Sequence, residues 1–312
     1  MADSLHRDLL RSVSRSFYLS MRLLPVAMRG PVSLGYLLAR ASDTLADTAA
    51  VPVGDRRAAL DEFRASLETG GRFPGQWAAT FGPYQHHAGE AALLCRLGEC
   101  QAWLATVSEP NRQAIVSVLA EITAGQAWDL ERFGGANADR PAFCESGGEL
   151  DDYTYRVAGC VGEFWTRVGF LNLGERFASL PDQPRMLVEG RSLGQGLQLV
   201  NILRDLGEDL RAGRCYLPRP SLLEAGWERD RASAIATVAA QWRERCRDRL
   251  RPGWDYVRRL RRGRVRAATS LPLILAEKTV DRLDAAGAGA LTERVKVSRS
   301  QVWLALARAL VA

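Results

Sequence analysis

Apolar residues recur along most of this chain at helical spacing, and no stretch alternates as a solvent-facing strand would. RDLLRSVSRSFYLSMRLL (7–24) has the pattern of a helix that Pro25 closes, and GPVSLGYLLARASDTLADTAA (30–50) has that of a second, with Pro31 suited to a first turn and Pro52 beyond the end. RRAALDEFRASLETGG ends on glycines, as helices often do. Further helical segments are predicted near 88–106 and 110–132, the latter with Ser108 as cap. FGGANADRPAF (133–143) and RCYLPRPSLLEAGW (214–227) are predicted as loop and turn.

The stretches 151–174 and 186–213 are long, apolar and nearly unbroken, and two or three more helices are expected after them. Gly159, Gly162, Gly194 and Gly196 inside the long stretches are costly in helices unless a neighbour or a ligand comes close. With no linker, repeat or low-complexity tract, the pattern predicts one all-α domain over residues 1–312.

Composition changes this picture little. The chain is 47% hydrophobic and 25% charged, the profile of a globular protein. No apolar run reaches the roughly 18 residues that span a bilayer, and the N-terminus lacks the apolar core of a secretory signal, so a cytoplasmic location is expected. Six scattered cysteines without a C-x-x-C pair point to free thiols, and His6, His86 and His87 form no metal-binding pattern. The net charge of +6 is concentrated: residues 241–266 hold eleven arginines against Glu244, Asp248 and Asp255, leaving the remainder near −2. Such a patch suits either a solvated helix face or peripheral contact with anionic lipid at the inner membrane face. No nucleic-acid-binding motif accompanies it.

The chemistry lies in two aspartate pairs. ARASDTLADT sets Asp43 and Asp47 four residues apart, and NILRDLGEDL does the same for Asp205 and Asp209, with Glu208 beside them. On a helix such residues share a face about 6 Å apart, where like charges repel unless a cation offsets them. Mg²⁺ takes one or two carboxylates together with phosphate oxygens and water. A single D-x-x-x-D is common on solvated helices, but the flanks GYLLAR and LQLVNIL are too apolar for that. Arg40, Arg204 and Arg214 supply cations for a diphosphate, with Gln198 and Asn201 nearby.

SRSFYLSMRLLP (14–25), GYLLARASDTLAD (35–47), YTYRVAGCVG (153–162) and GQGLQLVNILRDLGEDLRAGRCYLP (194–218) resemble, in order and spacing, the squalene/phytoene synthase family of head-to-head prenyl transferases, and SLPLILAEKTVDRL (270–283) resembles its C-terminal helix. The resemblance implies an isoprenoid-synthase-type helical bundle around a central apolar channel, with two facing magnesium–diphosphate sites for two farnesyl (or geranylgeranyl) diphosphates. Asp43, Asp47, Asp205 and Asp209 would hold Mg²⁺. Arg40, Arg204, Gln198 and Asn201 would contact diphosphate or order the carboxylates. Ser14 and Phe17 match a substrate-contacting Ser-x-Ser-Phe segment, and Tyr153 a tyrosine that assists diphosphate departure. Val157, Gly159 and Leu197, with Ala158, would be channel wall.

Thr154 stands where the family often has cysteine, and Ser42 and Thr44 leave the first motif with two acids where some relatives have three. The bulky Glu163-Phe164-Trp165 favours the squalene-producing branch, in which a cyclopropylcarbinyl diphosphate is reduced by NADPH. Phytoene, dehydrosqualene or hydroxysqualene synthase is the alternative. The G-x-G of SLGQGLQL follows no strand and lies within a helix, so it is no dinucleotide fingerprint. A non-catalytic scaffold role is disfavoured by retention of both acid pairs.

Overall fold

A computed structural model describes residues 8–14 and 17–311, the side chains of Phe17, Arg299, Leu310 and Val311 excepted. The described residues are all-α but for one pair of short strands. It groups into two compact units, one running to Leu130 and including Phe164–Leu180, the other comprising Glu131–Glu163 and Pro181 onward.

In the first unit the central element is the helix Val26–Asp47. Pro25 caps it in an extended conformation, and Pro31 lies inside it, so the helix begins earlier than the expected Pro31 start. Leu34, Leu37, Leu38 and Ala41 are fully buried along its length, and a Cβ on Gly35 would stand 3.1 Å from the ring of Phe164. The expected N-terminal helix is present as Leu10–Val13 and Phe17–Leu23, with residues 15 and 16 outside the described set. Tyr36 donates its hydroxyl hydrogen to the carbonyl of Val13 at 3.1 Å, which fastens the first segment to the central helix. Phe63, Phe73 and Trp77 form an aromatic cluster, with the two phenylalanine rings stacked 4.8 Å apart.

The second unit is built on two 29-residue helices, Gln183–Arg211 and Arg231–Arg259. Their contact depends on small residues: a Cβ on Gly196 would come within 2.8 Å of Leu250, and one on Gly253 within 3.0 Å of Leu193. The segment Gly147–Leu173 continues through a single π-helical turn at Tyr155–Gly159. A Cβ on Gly194 would run into the Ala158 carbonyl oxygen, and one on Gly162 into that of Gly190. Neighbouring backbone therefore accounts for these glycines.

Two predicted loops are corrected. Ala142–Cys144 and Arg214–Pro218 pair as parallel strands, and Arg219–Glu224 is a short helix. Cys144, Cys215 and Leu217 are fully buried there, so a few apolar residues suffice to hold a ladder too short for periodicity to reveal. All six cysteines are free, and burial pushes the Cys100, Cys215 and Cys246 thiols up to about 12. Among the described residues no helix is long and apolar enough to cross a membrane.

Candidate functional site

In the first unit, Asp43 and Asp47 occupy the last turns of the Val26–Asp47 helix. That is the negative end of its dipole, where carboxylates are unfavourable without a cation. Arg40 supplies part of the compensation, lying 3.8 Å from Asp43 and 2.5 Å from Glu90. Burial works against its charge, but Asp43, Glu90 and Tyr36 outweigh that and hold the guanidinium above its ordinary value. Arg56 donates to the Ala46 carbonyl at 2.8 Å, at the end of the helix. Burial lowers its pKa, with Asp47 and Asp129 acting in the opposite direction.

Asp43 has a further partner in Gln126, whose amide nitrogen donates to Oδ1 at 2.5 Å. Desolvation raises the Asp43 carboxyl above the ordinary carboxylate range and Glu90 adds to this, while Arg40 and Gln126 oppose it. Its side chain nevertheless keeps 42% of its surface, so Asp43 sits in an open recess and is not enclosed. Gln126 itself is only 7% exposed, and its Oε1, like Nε of Arg40, is buried without a hydrogen-bond partner. The Ser14 hydroxyl is buried and bonded locally to the Leu10 carbonyl. The Phe17 side chain lies outside the described residues.

In the second unit, Gln198, Asn201, Asp205 and Asp209 recur at i, i+3, i+7 and i+11 and form one stripe along the Gln183–Arg211 helix. Asn201 donates to Gln198 at 3.3 Å. Arg204 grips Asp205 with two bonds of 2.9 and 2.5 Å, and this hydrogen bonding raises its guanidinium pKa against the opposing effect of burial. Arg294 approaches Asp205 at 3.7 Å and Glu208 at 3.5 Å, while Arg214 closes on Asp209 at 2.7 Å.

Tyr153 lies in the last turn of the helix before the π turn, buried, with its ring stacked on Tyr216 at 5.1 Å and 19°. Val157 and Leu197 are half-buried. Gly159 is packed, since its Cβ would meet Gln195 at 3.0 Å. Gln195 in turn donates to the Asp151 carbonyl at 3.0 Å, which ties the π turn to the long helix.

Each pair thus presents carboxylates with arginines and amides at hand. Among the described residues no three His, Cys, Asp or Glu converge to hold a metal unaided. The donor sets are pairs, which suit a cation that completes its shell with phosphate oxygens and water, as Mg²⁺ does. The buried orphan Oε1 of Gln126 beside Asp43 offers an acceptor to such a water.

Glu90, Gln126, Asp129, Arg56 and Arg294 escape a sequence reading because they come from other elements. In GQAWDLERF, two polar residues three apart on an apolar helix were the available sign for Gln126 and Asp129. Six of the eleven arginines in the basic stretch 241–266 are paired with acids within their unit. Arg243 and Arg247 close on Asp284, Arg249 on Asp151, Arg259 on Asp182 and Glu189, and Arg251 and Arg258 on acids three residues before them.

The squalene/phytoene synthase family model matches residues 10–301. The presqualene diphosphate synthase of Zymomonas mobilis is 31% identical over 231 residues, covering 72% of this chain and 62% of that protein. The phytoene synthase of Arthrospira platensis is 30% identical over 221 residues, covering 69% and 60%. The chain therefore matches about three fifths of the length of these curated relatives. The solved complex of TcSQS with the ligand E5700 superposes with a TM-score of 0.79 at 20% identity, covering 99% of this chain and 86% of that one, a likeness of fold.

Proposed function

We propose, because this chain belongs to the squalene/phytoene synthase family, that it is a transferase joining two farnesyl diphosphates head to head. The observation that carries the proposal is the recurrence, in each unit, of a D-x-x-x-D pair beside arginine. In the proposed reaction the allylic C–O bond of one substrate breaks and its electrons leave with diphosphate. The alkene of the second substrate attacks the resulting cation, and loss of a proton closes a cyclopropylcarbinyl diphosphate. The name of the Zymomonas relative favours this product. Reduction by NADPH, with loss of the second diphosphate, would extend the reaction to squalene.

Mg²⁺, when bound, supplies neutralisation of the departing charge. The four aspartates hold it in this proposal. Arg40 and Arg204 stand ready to exchange carboxylate for phosphate oxygen, an anion that guanidinium binds equally well. Gln198 and Asn201 orient the same diphosphate, and Ser14 and Phe17 contact substrate. Tyr153 donates its hydroxyl hydrogen to the leaving oxygen, its ring held by Tyr216. Val157, Gly159 and Leu197 wall the reacting chains from water, which would otherwise quench a carbocation.

The second reading, a phytoene-type condensation without reduction, is favoured by the Arthrospira relative. Incubation with farnesyl diphosphate and Mg²⁺, with and without NADPH, separates the two. Cyclopropylcarbinyl diphosphate without NADPH and squalene with it are expected. Dehydrosqualene, or phytoene from geranylgeranyl diphosphate, would establish the second reading. No diphosphate release from either substrate would refute both.

A further inference from the structure

The second unit holds a cavity of about 350 Å³ that the proposed reaction leaves unused. Phe143, Leu222 and Trp227 form its apolar lining, and Arg219, Glu228 and Arg231 its charged lining. Leu222 is buried, whereas the three charged side chains are exposed. The Phe143 ring meets that of Trp227 edge to face, with centroids 5.2 Å apart at 86°. The Trp227 amide donates to the Leu222 carbonyl at 2.9 Å, so the turn that carries the indole is fixed by its own backbone. Two aromatic rings and a leucine make a surface suited to a flat, weakly polar ring.

The charges specify what that ring carries. Arg231 lies over the Trp227 ring at 5.1 Å, a stacking that leaves the N–H groups at the guanidinium edge turned toward other partners. It is also the first residue of the helix Arg231–Arg259, where the dipole favours an anion and opposes a cation. Asp230, the acid next to it, is committed to capping that helix and accepts from the Ser233 amide at 3.1 Å. Among the described residues neither Arg219 nor Arg231 makes an ion pair. Two such guanidiniums on one cavity suit a doubly charged anion such as a phosphate. Glu228 repels a bare phosphate, but its carboxylate accepts from hydroxyl groups, which a ribose supplies between ring and phosphate. Small-molecule sites span roughly 300 to 1,000 Å³, and this one, at the lower end, suits a single nucleotide unit.

We propose that this cavity binds a nucleoside monophosphate, with its base against Trp227 and Phe143, its ribose hydroxyls on Glu228 and its phosphate between Arg219 and Arg231. The larger cavity of about 510 Å³ in the first unit is the weaker candidate, because its cation, Arg112, closes on Glu109. The site shares no residue with the acid pairs and is independent of the proposed reaction.

Calorimetric titration of the full chain with adenosine 5′-monophosphate, without Mg²⁺ or prenyl substrate, tests the assignment. One equivalent should bind, with phenyl phosphate weaker and inorganic phosphate weaker still. Arg219→Gln/Arg231→Gln should weaken adenosine monophosphate binding by about 100-fold, and Trp227→Leu by about tenfold. Glu228→Ala should weaken it about tenfold, while phenyl phosphate binds as well or better. Arg251→Gln/Arg258→Gln, which removes two exposed arginines elsewhere, should bind as wild type. The arginine and glutamate variants change exposed side chains and should melt like the parent. The proposal is overturned if adenosine monophosphate does not bind, or if inorganic or phenyl phosphate binds as tightly. It is also overturned if the Arg219/Arg231 variant binds as wild type, if Glu228→Ala weakens both organic ligands alike, or if the Arg251/Arg258 variant loses as much affinity as the Arg219/Arg231 variant.

Discussion

Asp43 concentrates the conflict between folding and function in one side chain. Loss of hydration in its recess raises its carboxyl above the ordinary range, so folding of the metal-free chain shifts the balance toward the protonated acid. That preference helps folding fully at pH values below the unfolded aspartate range and is lost as pH climbs through the raised value. Asp43→Asn should therefore raise the melting temperature of metal-free protein at neutral pH, and the gain should disappear in acid. The same variant should lose turnover by about 100-fold or more, and Mg²⁺ with diphosphate should stabilise the wild type far more than the variant. Melting curves at neutral and acid pH, with and without Mg²⁺ and diphosphate, decide the matter; an unchanged neutral-pH melting temperature would contradict the burial argument. Gln126→Leu keeps the side-chain bulk but removes both the hydrogen bond to Asp43 and the orphan acceptor. Loss of such an outer partner costs about 10- to 100-fold in metal affinity, readable by Mn²⁺ titration followed by electron paramagnetic resonance. Affinity equal to wild type would reduce Gln126 to a packing residue. The aspartates were legible because their spacing is local. Gln126, 83 positions from Asp43, was not, because only the folded chain brings the two together.

At the scale of elements, glycines govern how closely the second unit's helices approach. Gly162→Ala would drive a methyl group into the Gly190 backbone oxygen, which cannot rotate away as a side chain would. A loss of about 3 kcal/mol is expected by analogy with overpacked cores. Gly98, inside Leu97–Thr106, is the control, because a methyl group added there would meet nothing within 4 Å. Gly98→Ala should add about 0.5 to 1 kcal/mol by restricting the unfolded chain. Urea titration measures both, and a neutral Gly162→Ala would mean that the helices separate at little cost. Sequence marked these glycines as sites of close approach without saying to what. Proline punctuation proved less dependable. Pro31 lies at the sixth residue of a helix that Pro25 caps, past the first turn, where proline removes one helical hydrogen bond without ending a helix whose buried face continues beyond it. The strand pair went unseen because three and five residues offer too few alternations to register as a period.

At the scale of the whole molecule, an all-helical chain carries one acid pair in each of two compact units. Helical class and the positions of the long elements followed from periodicity, and the family from motifs spread over most of the chain. The charged neighbours of the acids did not, because Glu90, Arg56 and Arg294 come from other parts of the chain that only tertiary packing places. The cavity at Trp227 was equally hidden, because Phe143 lies far in sequence from Arg219 and Arg231. The central claim is that both acid pairs bind diphosphate through a cation. Isothermal titration of the full chain with a non-ionising thio-analogue of farnesyl diphosphate, in the presence of Mg²⁺, tests it most directly. The account predicts two equivalents bound per wild-type chain, one for each of Asp43→Asn and Asp205→Asn, and none when Mg²⁺ is chelated. Two equivalents retained in either variant, or binding indifferent to Mg²⁺, would contradict it.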